Sequence, residues 1–153
     1  MKIVSIGEFL WDVYKNEEHI GGAPFNFSVH ANRLGHEVYF ISAVGEDKRG
    51  MKALQYIHDN NLSTKLIQKV KDHPTGYVNV IIGVDGSPSY DIYRPAAYDY
   101  PVLTIEQIDD ITSFKPDWLY FGTVQQMSVI AWELTCNLVK LLPKTKRFYD
   151  MNL

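Results

Sequence analysis

The sequence predicts an α/β fold: a three-layer parallel sheet flanked by helices, with a small antiparallel β attachment. Three observations point to it. Strand-like apolar runs alternate with amphipathic helical stretches over residues 2–60, the order that builds a parallel sheet with crossover helices. Residues 77–82 and 90–94 then follow one another as strands with no helix between them. From residue 104 onward helices and strands alternate again.

Residues 2–7, KIVSIG, are almost wholly apolar and end in glycine, as a strand buried on both faces requires. Residues 9–20 are short, mixed and aromatic, and suit a small hairpin. Residues 24–34 read as a helix. Pro24 lacks an N–H where the first turn would leave one unpaired anyway, and Gly35 suits the position past the end. Phe25 and Val29 on one side, with Phe27, Ala31 and Leu34 on the other, predict that this helix is well buried.

A strand follows at 37–44 and a helix at 47–60, with Met51, Leu54, Tyr56 and Ile57 at helical spacing. The segment GVDGSPS joins the next two strands, and its Asp85-Gly86 pair is a strong turn signal for an antiparallel hairpin. A helix near 104–113, a strand at 118–121, a helix near 129–142 and a strand at 147–150 complete the pattern. The last of these reads as an interior strand.

Composition narrows the function. With 153 residues, 46 % hydrophobic and 22 % charged, the chain is an ordinary globular domain. Its net charge of −3 is spread along the chain, with no basic run to line a phosphate backbone, so a nucleic-acid partner is not expected. Cys136 is the only cysteine, which excludes an internal disulfide and fits a reducing compartment. No apolar run approaches the roughly 20 residues of a membrane helix. The expected location is the cytoplasm, without a membrane partner.

Several common chemistries lack their motifs. There is no G-x-x-x-x-G-K-[ST], and the turn after the first strand, GEFLWD, holds no G-x-G-x-x-G. The histidines show no zinc spacing, and neither HExxH nor CxxC occurs, so no metal site is expected. No G-x-S-x-G elbow is present. What remains is polar groups at strand ends and helix starts. Asp12 lies just past the first strand, Gly21 and Gly22 allow a ligand close to the main chain, and Asn26 sits in the first helical turn. A carboxylate, an amide and bare backbone at the carboxyl edge of a parallel sheet suit a polyol. The plainer alternatives are that Asp12 caps or solvates a turn and that Asn26 bonds only to backbone.

These residues amount to a resemblance. GGAPFNFSVHANRLG followed by HEVYFISAVGEDKRG resembles the N-terminal signature of the PfkB (ribokinase-like) carbohydrate kinases, through Gly21, Gly22, Pro24, Asn26, Ser28, Gly35 and Gly45, with Asp47 and Gly50 completing G-x-D-x-x-G. IGEFLWD resembles the family's opening, and Asp12 takes the place of its sugar-binding aspartate. YDMNL at the end resembles the start of the family's D-x-N-x-R strand. The GE after the first strand, and Tyr93-Arg94 after the hairpin, resemble the fructokinase branch.

The resemblance implies a ribokinase-like fold and ATP-dependent phosphorylation of a primary hydroxyl of a monosaccharide. Fructose is the preferred substrate, and 2-keto-3-deoxygluconate, whose carboxylate Arg94 would suit, is a close rival. Asp12, Gly21, Gly22, Asn26 and Arg94 are the implied sugar contacts. Segments near 13–20 and 77–94 are the implied β lid, which in some relatives pairs two subunits into a homodimer. Family members run to about twice this length, beyond the usual size of one domain. Their G-A-G-D motif, with the catalytic base and the pocket for ATP and Mg2+, has no counterpart in residues 1–153. The expectation is a sugar-binding half with its lid, with no catalytic residue of its own and no tightly bound cofactor. The alternative is a non-catalytic sugar-binding or dimerising half-protein.

Overall fold

The computed structural model describes residues 1–151. Five parallel strands form the main sheet: β1 (Lys2–Ile6), β4 (Glu37–Gly45), β5 (Ile67–Val70), β8 (Trp118–Gly122) and β9 (Lys146–Asp150), in the order β5-β4-β1-β8-β9. β1 is central, with Ile3 opposite Val38 on one side and Trp118 on the other. Its residues are buried from Ile3 to Ile6 because strands and helices cover every side of it.

Helices α1 (Ala23–Arg33) and α2 (Lys48–Asp59) cover one face, where Phe25, Val29, Ala53 and Ile57 pack on Ile3, Val38 and Phe40. Helices α3 (Ile105–Phe114) and α5 (Val129–Leu141) cover the other, where Ile111, Phe114 and Leu138 pack on Val4, Ile41 and Leu119. A short helix, α4 (Thr123–Gln126), follows β8 directly.

The small sheet contains β2 (Leu10–Val13), β3 (Glu18–Gly21), β6 (Gly76–Ile82) and β7 (Pro88–Ile92), in the order β3-β2-β6-β7. It is mixed rather than purely antiparallel. β2–β3 and β6–β7 are antiparallel hairpins, but β2 joins β6 in parallel, Asp12 opposite Val78. The two hairpins come from separate parts of the chain, and hairpin turns set pairing only within each.

Other expectations change at the level of side chains. Leu34 and Met51 are exposed and Tyr56 is partly so, while Ala53 and Ile57 supply the buried stripe of α2. β9 pairs with β8 alone and is an edge strand among the described residues, with Phe148 and Tyr149 half exposed. β5 and α4, four residues each, are additions to the predicted pattern. Asp150 of the D-x-N resemblance ends β9, whereas Asn152 and Leu153 lie outside the described residues.

The G-x-D-x-x-G segment has a physical explanation in the start of α2. Asp47 caps the helix by accepting from the Gly50 N–H at 2.7 Å, and it also accepts the Thr75 N–H and hydroxyl, both at 2.8 Å. A Cβ on Gly50 would stand 2.1 Å from the Gly45 carbonyl oxygen, so the turn closes only around glycine.

Candidate functional site

Asp12 and the diglycine lie along the β2–β3 hairpin and the turn into α1, and Asn26 lies in the first turn of that helix. In the β2–β3 hairpin, Leu10 stands opposite Gly21 and Asp12 opposite His19. A Cβ on Gly21 would lie 2.5 Å from Asp12 Oδ2, so the carboxylate rests directly against bare main chain. Gly22 caps α1 with φ of +110°, and a Cβ there would lie 2.5 Å from the Glu8 carbonyl oxygen. Strain and collision together exclude other residues. The diglycine therefore runs between two acids, Asp12 and Glu8.

Burial pushes the Asp12 carboxyl above its ordinary pKa, and the nearby His19 offsets part of this. Asn26 lies one turn into α1, where its N–H donates to the Gly22 carbonyl at 2.9 Å. Its side chain is exposed. Pro24 fixes this turn to the sheet, since its carbonyl accepts the Ser5 hydroxyl at 3.2 Å and the Ser28 hydroxyl at 2.7 Å.

Arg94 is held differently. Its Nη2 pairs with Asp99 Oδ1 at 2.6 Å and its Nη1 donates to the Val124 carbonyl. The structure thus joins Asp12 to Gly21 and joins Gly22 to Asn26 through α1. It commits two nitrogens of Arg94 to an internal ion pair and to the start of α4.

Glu8 is the residue that sequence reasoning missed. It is 3 % exposed, and its Oε2 has no hydrogen-bond partner among the described residues. Burial pushes its pKa up to about 7; the N–H groups of Glu8, Ala23 and Gln125 act against this, and Asp150 adds to it. Asp150 is itself the acceptor for the Tyr120 hydroxyl. The available signal was an acid placed just after a strand that is almost wholly apolar.

Among the described residues, no group of three or more His, Cys, Asp or Glu side chains is placed to hold a metal ion. No helix among these residues is long and apolar enough to cross a membrane.

The arrangement matches known proteins. The profile of the pfkB family carbohydrate kinases matches residues 2–144. The sugar kinase PH1459 of Pyrococcus horikoshii is 36 % identical over 107 residues, which are 63 % of this chain and 34 % of that one. Its structure in complex with ATP superposes with a TM-score of 0.86 at 29 % identity, covering 99 % of this chain and 53 % of that one. A fructokinase with bound ATP from Xylella fastidiosa shares the fold, with a TM-score of 0.85 at 23 % identity over 99 % of this chain and 48 % of that one. The 5-dehydro-2-deoxygluconokinase 2 of Bacillus cereus is 29 % identical over 79 residues, 44 % of this chain and 24 % of its own length. The chain thus spans about half the length of the solved relatives it matches. By its glycine-bounded helix start, its two sheets and this match along nearly its whole length, the chain belongs to the pfkB family of carbohydrate kinases.

Proposed function

We propose that this chain supplies the sugar site and the lid of an ATP-dependent kinase that phosphorylates a primary hydroxyl of a monosaccharide. The single observation that carries the reading is the contact of Asp12 with the bare main chain at Gly21. A carboxylate accepts two hydroxyls at once, and glycine backbone lets a ring approach closely. The exposed Asn26 amide would donate to and accept from further hydroxyls, and Gly22 would offer main-chain groups. The small sheet carries Asp12 itself, so closing it over the sugar would bring the carboxylate to the substrate and shut out water that would otherwise compete for the phosphoryl group.

Fructose is the favoured substrate, supported by the resemblance of Gly7-Glu8 and Tyr93-Arg94 to the fructokinase branch, and 2-keto-3-deoxygluconate is the second candidate. For the second, Arg94 would meet the substrate carboxylate only by exchanging its present bond to Asp99. The base, the ATP pocket and any Mg2+ are assigned to the part of the relatives that this chain does not cover.

Calorimetric titration of the chain with each sugar, beside an ATP-coupled turnover assay, tests the proposal. The expected result is sugar binding without turnover. Asp12→Asn should weaken binding by about 10- to 100-fold, the scale of a hydrogen bond to a charged group. Equal affinity in wild type and variant would remove Asp12 from the site, and turnover by this chain would show that the base lies within it.

A further inference from the structure

We propose that this site takes an uncharged sugar and turns away sugar acids: Asp12 sets a negative charge beside the substrate, and Arg94, the guanidinium on the same face of the small sheet, is held by Asp99. The inference rests on the reading of Asp12 and Gly21 as sugar contacts, and it names the substrate class that they accept.

Arg94 is the cation best placed to meet a substrate carboxylate. Asp12 stands opposite Val78, and Val78 opposite Ile92, so these three side chains share one face of the small sheet. The Tyr93 N–H donates to the Tyr77 carbonyl at 3.0 Å, and Arg94, two residues past Ile92, returns to that face. There it is held on three sides. Nη2 meets Asp99 Oδ1 at 2.6 Å, Nη1 donates to the Val124 carbonyl, and the guanidinium carbon lies 5.8 Å from the centre of the Tyr98 ring. Asp99 is fixed in turn, buried, with its Oδ2 accepting the Ala96 N–H at 3.0 Å. Turning Arg94 towards a ligand would strand a buried carboxylate without its cation, which is strongly unfavourable.

The other basic groups near the small sheet face away from Asp12 or meet acids of the chain itself. Trp11 and Tyr77 stand opposite one another, one residue along from Asp12 and Val78, and therefore on the far face. Lys52 and Arg49 lie over those two rings and pair with Glu18 at 3.4 and 3.0 Å. His19, the cross-strand neighbour of Asp12, has its Nε2 at 3.3 Å from Glu17. Lys15 stands exposed in the turn between β2 and β3. A sugar carboxylate set against Asp12 would meet a like charge with no free guanidinium to offset it.

The test compares D-fructose with 2-keto-D-gluconate, the same carbon skeleton with the C1 hydroxymethyl group oxidised to a carboxylate. Calorimetric titration of the whole chain should show fructose binding at least about tenfold tighter, the scale of a like-charge contact at a protein surface. Asp12→Asn keeps an acceptor but removes the charge, and should bring the two affinities within about threefold of each other. The double variant Arg94→Met with Asp99→Asn leaves neither charge unpaired. It should keep the wild-type ratio, because neither residue touches the sugar.

A wild-type ratio below about threefold, or a ratio that Asp12→Asn leaves unchanged, overturns the inference while the sugar site stands. So does a loss of affinity confined to the acid in the double variant, which would make Arg94 a substrate contact. The wild type and Asp12→Asn decide the outcome even where the double variant does not fold. Wild-type protein that binds neither ligand overturns the site reading and this inference with it.

Discussion

Asp47 shows how one side chain can serve two elements. Burial alone would raise its pKa, but the Thr75 and Gly50 N–H groups, the Thr75 hydroxyl and Arg49 together hold it below the ordinary value. A lowered native pKa means that Asp47 stabilises the fold fully above its unfolded pKa. That contribution is lost as pH falls through the native pKa. Asp47→Ala should therefore cost about 2 kcal/mol near neutrality, a cap plus a charged hydrogen bond. Thermal melts across pH should show the gap between variant and wild type narrowing below about pH 4, where the unfolded-state carboxyl is protonated first and native Asp47 only at still lower pH. A gap that stays constant into acid would mean that the charge contributes nothing.

Between elements, the small sheet is tied to α2 through Glu18. Its carboxylate meets Arg49 Nε at 3.0 Å and Lys52 Nζ at 3.4 Å. The same two cations lie over the Tyr77 and Trp11 rings, at 4.8 and 5.8 Å. Pairs this accessible contribute little to global stability, below about 1 kcal/mol, but they join β3, β2 and β6 to one helix. Their effect should appear in the closure of the small sheet. Glu18→Gln should shift the melting temperature little and weaken sugar binding by about two- to fivefold at low salt, a free-energy change of up to about 1 kcal/mol. High salt should bring wild type down towards the variant, because it screens exposed charges. Identical affinities at both salt concentrations would exclude such a tie.

At the scale of the molecule, the core is divided. Two apolar clusters sandwich the main sheet, and a smaller one, Leu10, Val78, Val80, Ala96 and Tyr98, lies under the small sheet. Val4, Ile41 and Leu119 are fully enclosed, whereas every residue of β7 is exposed. Amides of β1, β4 and β8 should therefore exchange with solvent only on global unfolding. Those of β7 should exchange at least about 100-fold faster through local opening, as hydrogen exchange followed by mass spectrometry would measure. Uniform protection across both sheets would mean that they open as one unit.

The sequence by itself determined the alternation of strands and helices outside β5 and α4, the two hairpins, the proline in the first turn of α1 with the glycine past its end, and the glycine pair before that helix. Each of these is written within a few consecutive residues, as a period, a turn pair or a fixed spacing. Only the tertiary structure decided the parallel join of β2 to β6, the addition of β5 and the burial of Glu8. Those depend on groups far apart in the chain, such as Asp12 of β2 standing opposite Val78 of β6. Local pattern cannot encode a meeting that exists only once the helices have packed on the sheet.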